Sequence, residues 1–426
     1  MKTRIALLAL LATAMLPAGF SRAGETKPAE NLPELVNTAL ANNPDLKSSE
    51  ARWTMFKNRI AQAGSLDDPM LMLKIQNGVV NDPLNFSKEA MTGKVIGLSQ
   101  QIPFWGKRGL KEEMAQKDAE SYRWQVEERK LELARMVKET WYEIYFTDKS
   151  LEIVDKNIHI LDDFITIAET RYSVGQGTQQ DVFKSQVERS KLLDMRISLE
   201  QQRTSLEAAL NALLARPAET PVGKIPDFEI RPVTLSAESL RKTANDNRPM
   251  IKSLKALIDK GEAGRKLARK ESYPDFNVSM EYMQRDPAMG SDGADMYSLG
   301  VTFNLPLRRE RRHAMVAEAN SATNMAGQDL NSLKNSIDAG ISDLIAKLDK
   351  RRKLANLYKS GIIPQADQSL ESAIIGYKVG KVDFLTLLDS RTTLFNYERD
   401  YYESLAEYQI RMAQLEAMVG VELSNK

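Results

Sequence analysis

The feature that most constrains this sequence is a run of 65 residues, from Leu110 to Val174, without a single glycine or proline. A continuous α-helix of that length would measure roughly 98 Å at 1.5 Å per residue. Apolar side chains such as Leu151, Ile158, Leu161 and Ile165 recur at spacings of seven, three and four, which is typical of a coiled coil. Few globular cores could cover such a helix, so we expect it to have helical partners along its whole length.

The chain also repeats itself with a period of about 200 residues. Four pairs of matching segments occur in the same order, three of them 205 positions apart and the last 203 apart: Asn43-Pro44 and Arg248-Pro249, Asp68-Pro69 and Tyr273-Pro274, 171–175 and 376–380, 97–103 and 300–306. Each unit reads as a helix, two strands, a very long helix, a tight turn and another long helix. We therefore predict a first repeat at 24–216, a proline-rich linker at 217–235 and a second repeat at 236–426.

The N-terminus is typical of an exported protein. Lys2 and Arg4 precede an apolar run that ends near Phe20, and Ser21-Arg22-Ala23 places small residues where a signal peptidase reads them. The run is short for a membrane-spanning helix of roughly 20 residues, which disfavours an uncleaved anchor. Residues 1–23 are therefore predicted to be a signal peptide.

Composition excludes several classes of function. With no cysteine, the chain has no disulfide, thiolate zinc site or iron–sulfur cluster. A net charge of +1 is unlike the strong basic excess of nucleic-acid-binding domains. His159 and His313 are too far apart in sequence to resemble a paired zinc motif. Met280, Met283, Met289 and Met296 could in principle bind Cu(I), but such methionines are more often apolar surface. We predict no catalytic residue, cofactor or metal site, no nucleic-acid partner, and a protein that is not an enzyme.

Four short segments show strict alternation of apolar and polar residues. Phe276, Val278, Met280 and Tyr282 alternate with polar neighbours, and the segment from Tyr297 to Leu305 does the same. Unit one repeats the pattern less cleanly in 71–76 and 96–102. Such strands suit a transmembrane barrel with its apolar face outward, although hairpins lying on a soluble core would show the same alternation.

Four strands cannot close a barrel, and open edges cannot face lipid. Oligomerisation is therefore expected. Two chains would give eight strands with a lumen filled by side chains, and three would give twelve strands and leave a channel.

Basic and aromatic residues follow the last strand of each unit. Lys107, Arg108, Arg308 and Arg309 begin the long helices, where the helix dipole disfavours cations. With Phe104 and Trp105 beside them, we predict that they lie at the headgroup layer of outer membrane lipid. The alternative is ordinary solvated charge.

The order of elements, together with Gly376-Tyr377-Lys378-Val379-Gly380 and the following Leu387–Asn396 segment, resembles the TolC family of outer membrane efflux channels. The stretch 101–108 is similar to the CzcC-like heavy-metal branch. The resemblance covers essentially the whole mature chain. It implies a mainly α fold with a small β part, in which long coiled-coil helices form an α-barrel tunnel and each chain contributes four strands to a trimeric 12-stranded barrel.

The same resemblance implies a function. The chain would be a homotrimeric outer membrane duct that spans the periplasm of a Gram-negative cell and passively exports substrates. A periplasmic adaptor and an inner-membrane pump would deliver those substrates, and heavy-metal cations are the class indicated. The alternative from a different class is an exported periplasmic coiled-coil scaffold or adaptor without a pore.

Family roles map onto two groups of residues. The adaptor-docking tips would be Val174, Gly175, Gln176, Gly177, Thr178, Val379, Gly380, Lys381, Val382 and Asp383. The aperture gate would be Asp181, Tyr377, Asp389 and Thr386, with Asp181 holding Tyr377. Val382 stands where a family member has a gate arginine, so this closure would lack one contact.

Overall fold

The computed structural model of the chain describes residues 31–230 and 236–423. The predicted signal peptide and residues 231–235 of the predicted linker lie outside the described residues. The elements follow in this order: α1 Leu32–Asn42, α2 Pro44–Gly64, β1 Met70–Gln76, β2 Gly93–Ile102, α3 Lys107–Ser173, α4 Gln179–Leu213, α5 Ala237–Asn247, α6 Pro249–Lys270, β3 Phe276–Arg285, β4 Met296–Phe303, α7 Arg309–Leu357, α8 Ile363–Lys378 and α9 Phe384–Val419. The fold is mainly helical with one small sheet, as the sequence predicted.

The two halves of the chain have the same order of elements. Pro44 and Pro249 occupy the first helical position of α2 and α6, where the missing N–H costs no hydrogen bond. Helices α4 and α9 begin at Gln179 and Phe384, again 205 positions apart. The exact bounds of the two repeats and the linker stay predictions.

Helix α3 is a single helix of 67 residues, which corresponds to about 100 Å. The predicted very long helix is thus confirmed. It packs against α2, α4, α6 and α9, so it has helical partners along its length. Among the described residues, no helix is both long enough and apolar enough to cross a membrane.

The counterpart of α3 in the second unit is interrupted. A π-helical turn, Tyr358–Ile362, separates α7 from α8. Pro364 follows it and has no N–H to donate to the preceding turn, which explains why the regular hydrogen-bond ladder fails here. The helical path continues without a gap, because α8 begins at Ile363, directly after the π-helical turn.

The sheet has the order β1-β2-β3-β4, and every neighbouring pair is antiparallel. The pairing aligns apolar residues across all four strands in rows on one face: Leu71, Leu98, Met280 and Leu299 in one row, and Leu73, Ile96, Tyr282 and Tyr297 in the next. These side chains point to solvent, with Leu73 73% and Leu299 72% exposed. The opposite face carries an ion pair between Lys74 and Glu281 at 3.2 Å. The alternation predicted from the sequence is confirmed.

A buried carboxylate fixes the start of the second unit against α3. Glu128 accepts hydrogen bonds from Nε and Nη2 of Arg248, at 3.2 and 3.1 Å. Its second oxygen accepts the Met250 N–H at 3.0 Å. That N–H lies in the first turn of α6, which has no cap from its own side chains. Glu128 therefore caps α6 from α3 and ties the two units together.

We expect Glu128→Gln to destabilise the fold by about 3 kcal/mol, because the partly buried Arg248 would keep its charge without a counter-ion. The measurement is thermal unfolding of the detergent-purified protein, followed by circular dichroism. Glu132→Gln is the matched control, since Glu132 lies one turn further along α3 in an exposed pair with Arg129. Equal shifts in the two variants would contradict the capping role.

Candidate functional site at the helix tips

Two tight turns join the long helices at the end of the molecule farthest from the sheet. Gly175 and Gly380 adopt φ of +73° and +75°, a left-handed conformation that strains other residues. The Gln176 N–H bonds to the Arg171 carbonyl at 2.8 Å, and the Lys381 N–H bonds to the Gly376 carbonyl at 2.9 Å. Both turns are therefore Schellman caps, in which glycine is required by the backbone rather than by crowding.

The helices that follow these turns are capped by their own side chains. At the start of α4, Thr178 and Asp181 form a capping box in which each side chain accepts the other's N–H at 3.3 Å. At the start of α9, Asp383 accepts the Thr386 N–H at 2.7 Å. Hydrogen bonding to the Thr386 side chain and then to its N–H lowers the pKa of Asp383. Asp181 and Asp383 thus stabilise the tips as helix caps.

The structure does not form the predicted hydrogen bond between Asp181 and Tyr377. Within the described residues the buried Tyr377 hydroxyl has no hydrogen-bond partner, while the Asp181 carboxylate accepts the Thr178 N–H. The pKa of Tyr377 is nevertheless raised, mainly by burial of the side chain and secondly by the negative charge of Asp181, which acts at longer range. The predicted direct contact was therefore wrong, and one oxygen of the carboxylate is engaged in the helix cap instead.

Arg171 is the residue that joins the two tips, and the sequence reasoning missed it. Its Nη1 donates to the Tyr377 carbonyl oxygen, and its Nη2 donates to the Gln176 carbonyl at 3.2 Å. Its guanidinium carbon lies 4.5 Å from the centre of the Tyr377 ring, a cation–π contact. Arg171 is matched by Gly376 in the second repeat, where a Cβ would lie 2.5 Å from Val382. That departure from the repeat is the signal that could have revealed it.

Thr386 and Asp389 lie together on one exposed face of α9. Further polar residues extend the face at spacings of four and three, namely Thr393 and Asn396. The structure therefore places the two predicted aperture residues side by side on one polar stripe. In the described part of the chain, no three histidine or acidic side chains come together in a way that could hold a metal ion.

The residues predicted at the membrane interface divide into two groups. The first group lies at the surface, where Trp105 is 74% exposed and three arginines are exposed as well, namely Arg108, Arg308 and Arg309. In this group, Phe104 stacks on Tyr273 with ring centres 4.5 Å apart. Lys107 was wrongly assigned to this surface, because it is only 2% exposed. Its Nζ lies 2.9 Å from Asp275 and 3.2 Å from Glu271. These carboxylates offset the unfavourable helix dipole that had suggested lipid headgroups.

A four-stranded sheet with an exposed apolar face, set on long helices that end in paired glycine turns and of which α3 measures about 100 Å, is the architecture of an outer membrane channel protein. The outer membrane efflux protein family matches residues 35–216 and 240–421. The chain belongs to this family.

Individual relatives agree with this assignment. The chain is 21% identical to the cobalt-zinc-cadmium resistance protein CzcC of Cupriavidus metallidurans over 389 residues, which cover 90% of this chain and 88% of CzcC. It is 20% identical to the outer membrane protein TolC of Vibrio cholerae over 400 residues, covering 92% and 91% of the two chains. The crystal structure of VceC from Vibrio cholerae shares the fold, with a TM-score of 0.77 at 17% identity and coverage of 92% and 97%.

We expect Tyr377→Phe to leave the tips intact, because the lost hydroxyl bonds to none of the residues that the structure describes. Arg171→Gln should speed amide hydrogen exchange at 174–178 and 379–383 by about tenfold, since it removes the cation from the ring and weakens charged hydrogen bonds. Hydrogen exchange followed by mass spectrometry measures both effects. If Tyr377→Phe accelerated exchange as much as Arg171→Gln, the hydroxyl and not the guanidinium would hold the tips together.

Proposed function

We propose that the chain is one third of a homotrimeric outer membrane duct that passively exports substrates from the periplasm. A periplasmic adaptor and an inner-membrane pump would supply those substrates. The single observation that carries this proposal is the sheet: one face is apolar and exposed, and in the described part of the chain the outer edges of β1 and β4 have no partner strand.

The sheet supports a pore for two physical reasons. Unpaired backbone groups cannot face lipid, so β1 and β4 need strands from other copies. Three copies of four strands give twelve, which is enough to leave a channel. The inner face would then present polar groups such as the Lys74–Glu281 pair, Ser279 and Thr302 to the lumen. Such a lining offers hydration without a binding pocket.

The exposed aromatic and basic residues fit the headgroup layer around such a barrel. Trp105 would settle at the interface, and Arg108, Arg308 and Arg309 would face anionic lipid or other charges at that level. The turns 174–178 and 379–383 lie at the other end and are the proposed adaptor-docking tips. Their exposed apolar residues, Val174 and Val379, suit a protein partner.

The polar stripe on α9 is the proposed aperture. Three copies of Asp389 around a threefold axis would form a ring of negative charge that favours cations, with Thr386 beside it. Tyr377 would contribute through its contacts with Arg171, and Asp181 through its charge. A cation-selective constriction agrees with heavy-metal ions as substrates, the class named for the relative CzcC.

Deleting the gene from its host should lower tolerance to cobalt, zinc and cadmium salts more than tolerance to dyes or detergents. Growth inhibition on graded concentrations measures this. A plasmid with the wild-type gene should restore tolerance. A plasmid with Gly380→Val should restore the membrane trimer but not tolerance, because a β-branched residue at φ +75° deforms the docking turn.

The outcomes separate the parts of the proposal. Sensitivity to dyes with intact metal tolerance would contradict the substrate class. Full tolerance with Gly380→Val would remove this turn from the docking site. A protein recovered as a soluble periplasmic species would contradict the channel itself.

A further inference from the structure

Arg391, near the start of α9, carries a buried guanidinium that the described part of the chain does not pair. The residue is only 4% exposed. Its Nε and Nη2 are both buried, and neither has a hydrogen-bond partner among the residues that the structure describes. These two nitrogens form one edge of the planar guanidinium, and their N–H bonds point the same way. A complete bidentate donor, of the kind that matches a carboxylate or a phosphate, is therefore available inside the protein.

Acidic side chains act on Arg391 only from a distance. Glu398 forms its ion pair with Lys156 at 2.9 Å, and Asp367 is exposed on α8. Burial lowers the pKa of Arg391, and the charges of Glu398 and then Asp367 offset that effect only in part. A buried cation without a close counter-ion is costly, so a ligand that brings a negative charge to it gains from removing that cost.

The two repeats differ at this position. The residue matched to Arg391, 205 positions earlier, is Gln186, which is exposed and uncharged. The helices themselves correspond, because Val182 and its match Leu387 are both buried. The buried arginine is therefore not needed to build the repeat, and its presence in α9 has a separate cause.

Arg391 lines a cavity of about 190 Å³ between α3, α4 and α9. That volume is many times what one water molecule needs. Among the described residues, Glu188 supplies the one carboxylate in the lining, and it is already paired with Lys191 at 2.5 Å. Two cations thus share one acid. The Lys191 side chain is 65% exposed, so the cavity reaches solvent beside it.

We propose that this cavity binds one small oxyanion of the phosphate or carboxylate type. Two of its oxygens accept hydrogen bonds from Nε and Nη2 of Arg391. Lys191 and the amide of Asn396 also line the cavity and can donate to the same anion. Leu192 and Phe395 belong to the apolar part of the lining, which lowers the local dielectric and strengthens these contacts. A two-oxygen anion fits the free edge better than a halide does, because it accepts both N–H bonds in parallel.

The site connects the two helical hairpins near the tips. Arg391 belongs to α9 of the second unit, and Lys191 belongs to α4 of the first. The proposed aperture residues Thr386 and Asp389 precede Arg391 on the same helix, and Asn396 belongs to both their polar stripe and the cavity lining. A bound anion would therefore stabilise the helix packing beside the proposed aperture. The site lies within one chain, so this inference goes beyond the proposed channel and does not depend on it.

Isothermal titration calorimetry of the detergent-purified protein tests the site, with inorganic phosphate and acetate as separate probes in chloride buffer of constant ionic strength. We expect one anion to bind per chain, and the tighter of the two probes identifies the class of oxyanion. Arg391→Lys should weaken binding about tenfold, because lysine keeps the charge but loses the bidentate edge. Arg203→Lys is the matched control and should leave the affinity unchanged, since Arg203 already pairs with Asp148 and Glu207, each at 2.6 Å.

Thermal unfolding provides a second measurement. Phosphate stabilises many proteins because it is excluded from their surface, so the informative quantity is the difference between the wild type and Arg391→Met. Phosphate should raise the Tm of the wild type more than that of Arg391→Met.

Four results would overturn the site. The first is a wild-type protein that binds neither probe in the calorimeter, which decides the matter even if a variant does not fold. The second is an unchanged affinity in Arg391→Lys, and the third is an equal loss in Arg391→Lys and Arg203→Lys. The fourth is an equal rise in Tm with phosphate for the wild type and Arg391→Met. None of these results bears on the proposed duct, which the tests of metal tolerance and membrane location address separately.

Discussion

The free edges of the sheet are the constraint on which the rest of the molecule depends. A strand edge presents a row of N–H and C=O groups that must bond to something, and hydrocarbon offers no partner. Strands β2 and β3 pair across the boundary between the two units, whereas the outer edges of β1 and β4 have no partner strand among the residues that the structure describes. In the proposed channel, the single chain is an open unit, whose apolar rows would face lipid and whose outer strand edges would pair with other copies.

Two of the buried charged side chains, Lys107 and Glu128, lie at the same boundary. Lys107 with its two carboxylates and Glu128 with Arg248 all join α3 to the start or end of α6. Such pairs contribute little net stability, because desolvation offsets their attraction, but breaking one is costly. These ion pairs fix the alignment of the two repeat units relative to each other. A duct assembled from repeated units needs that alignment along about 100 Å of helix.

The sequence was informative wherever structure is decided locally. A run without helix breakers became α3, strict alternation became the two-faced sheet, and the paired glycines became left-handed turns. It failed where a contact joins distant positions. Lys107 looked like a lipid-facing cation because its partner Asp275 lies 168 positions away in sequence. Arg171 went unnoticed because its target, Tyr377, belongs to the other unit.

In the proposed channel, copies of the chain complete one another. Electron cryomicroscopy of the detergent-extracted outer membrane protein tests it most directly. We expect a closed ring of three chains with twelve strands, in which β4 of each chain lies beside β1 of the next, above a continuous helical tunnel. A monomer with free sheet edges, or a twofold dimer that pairs β1 with β1 or β4 with β4, would contradict it.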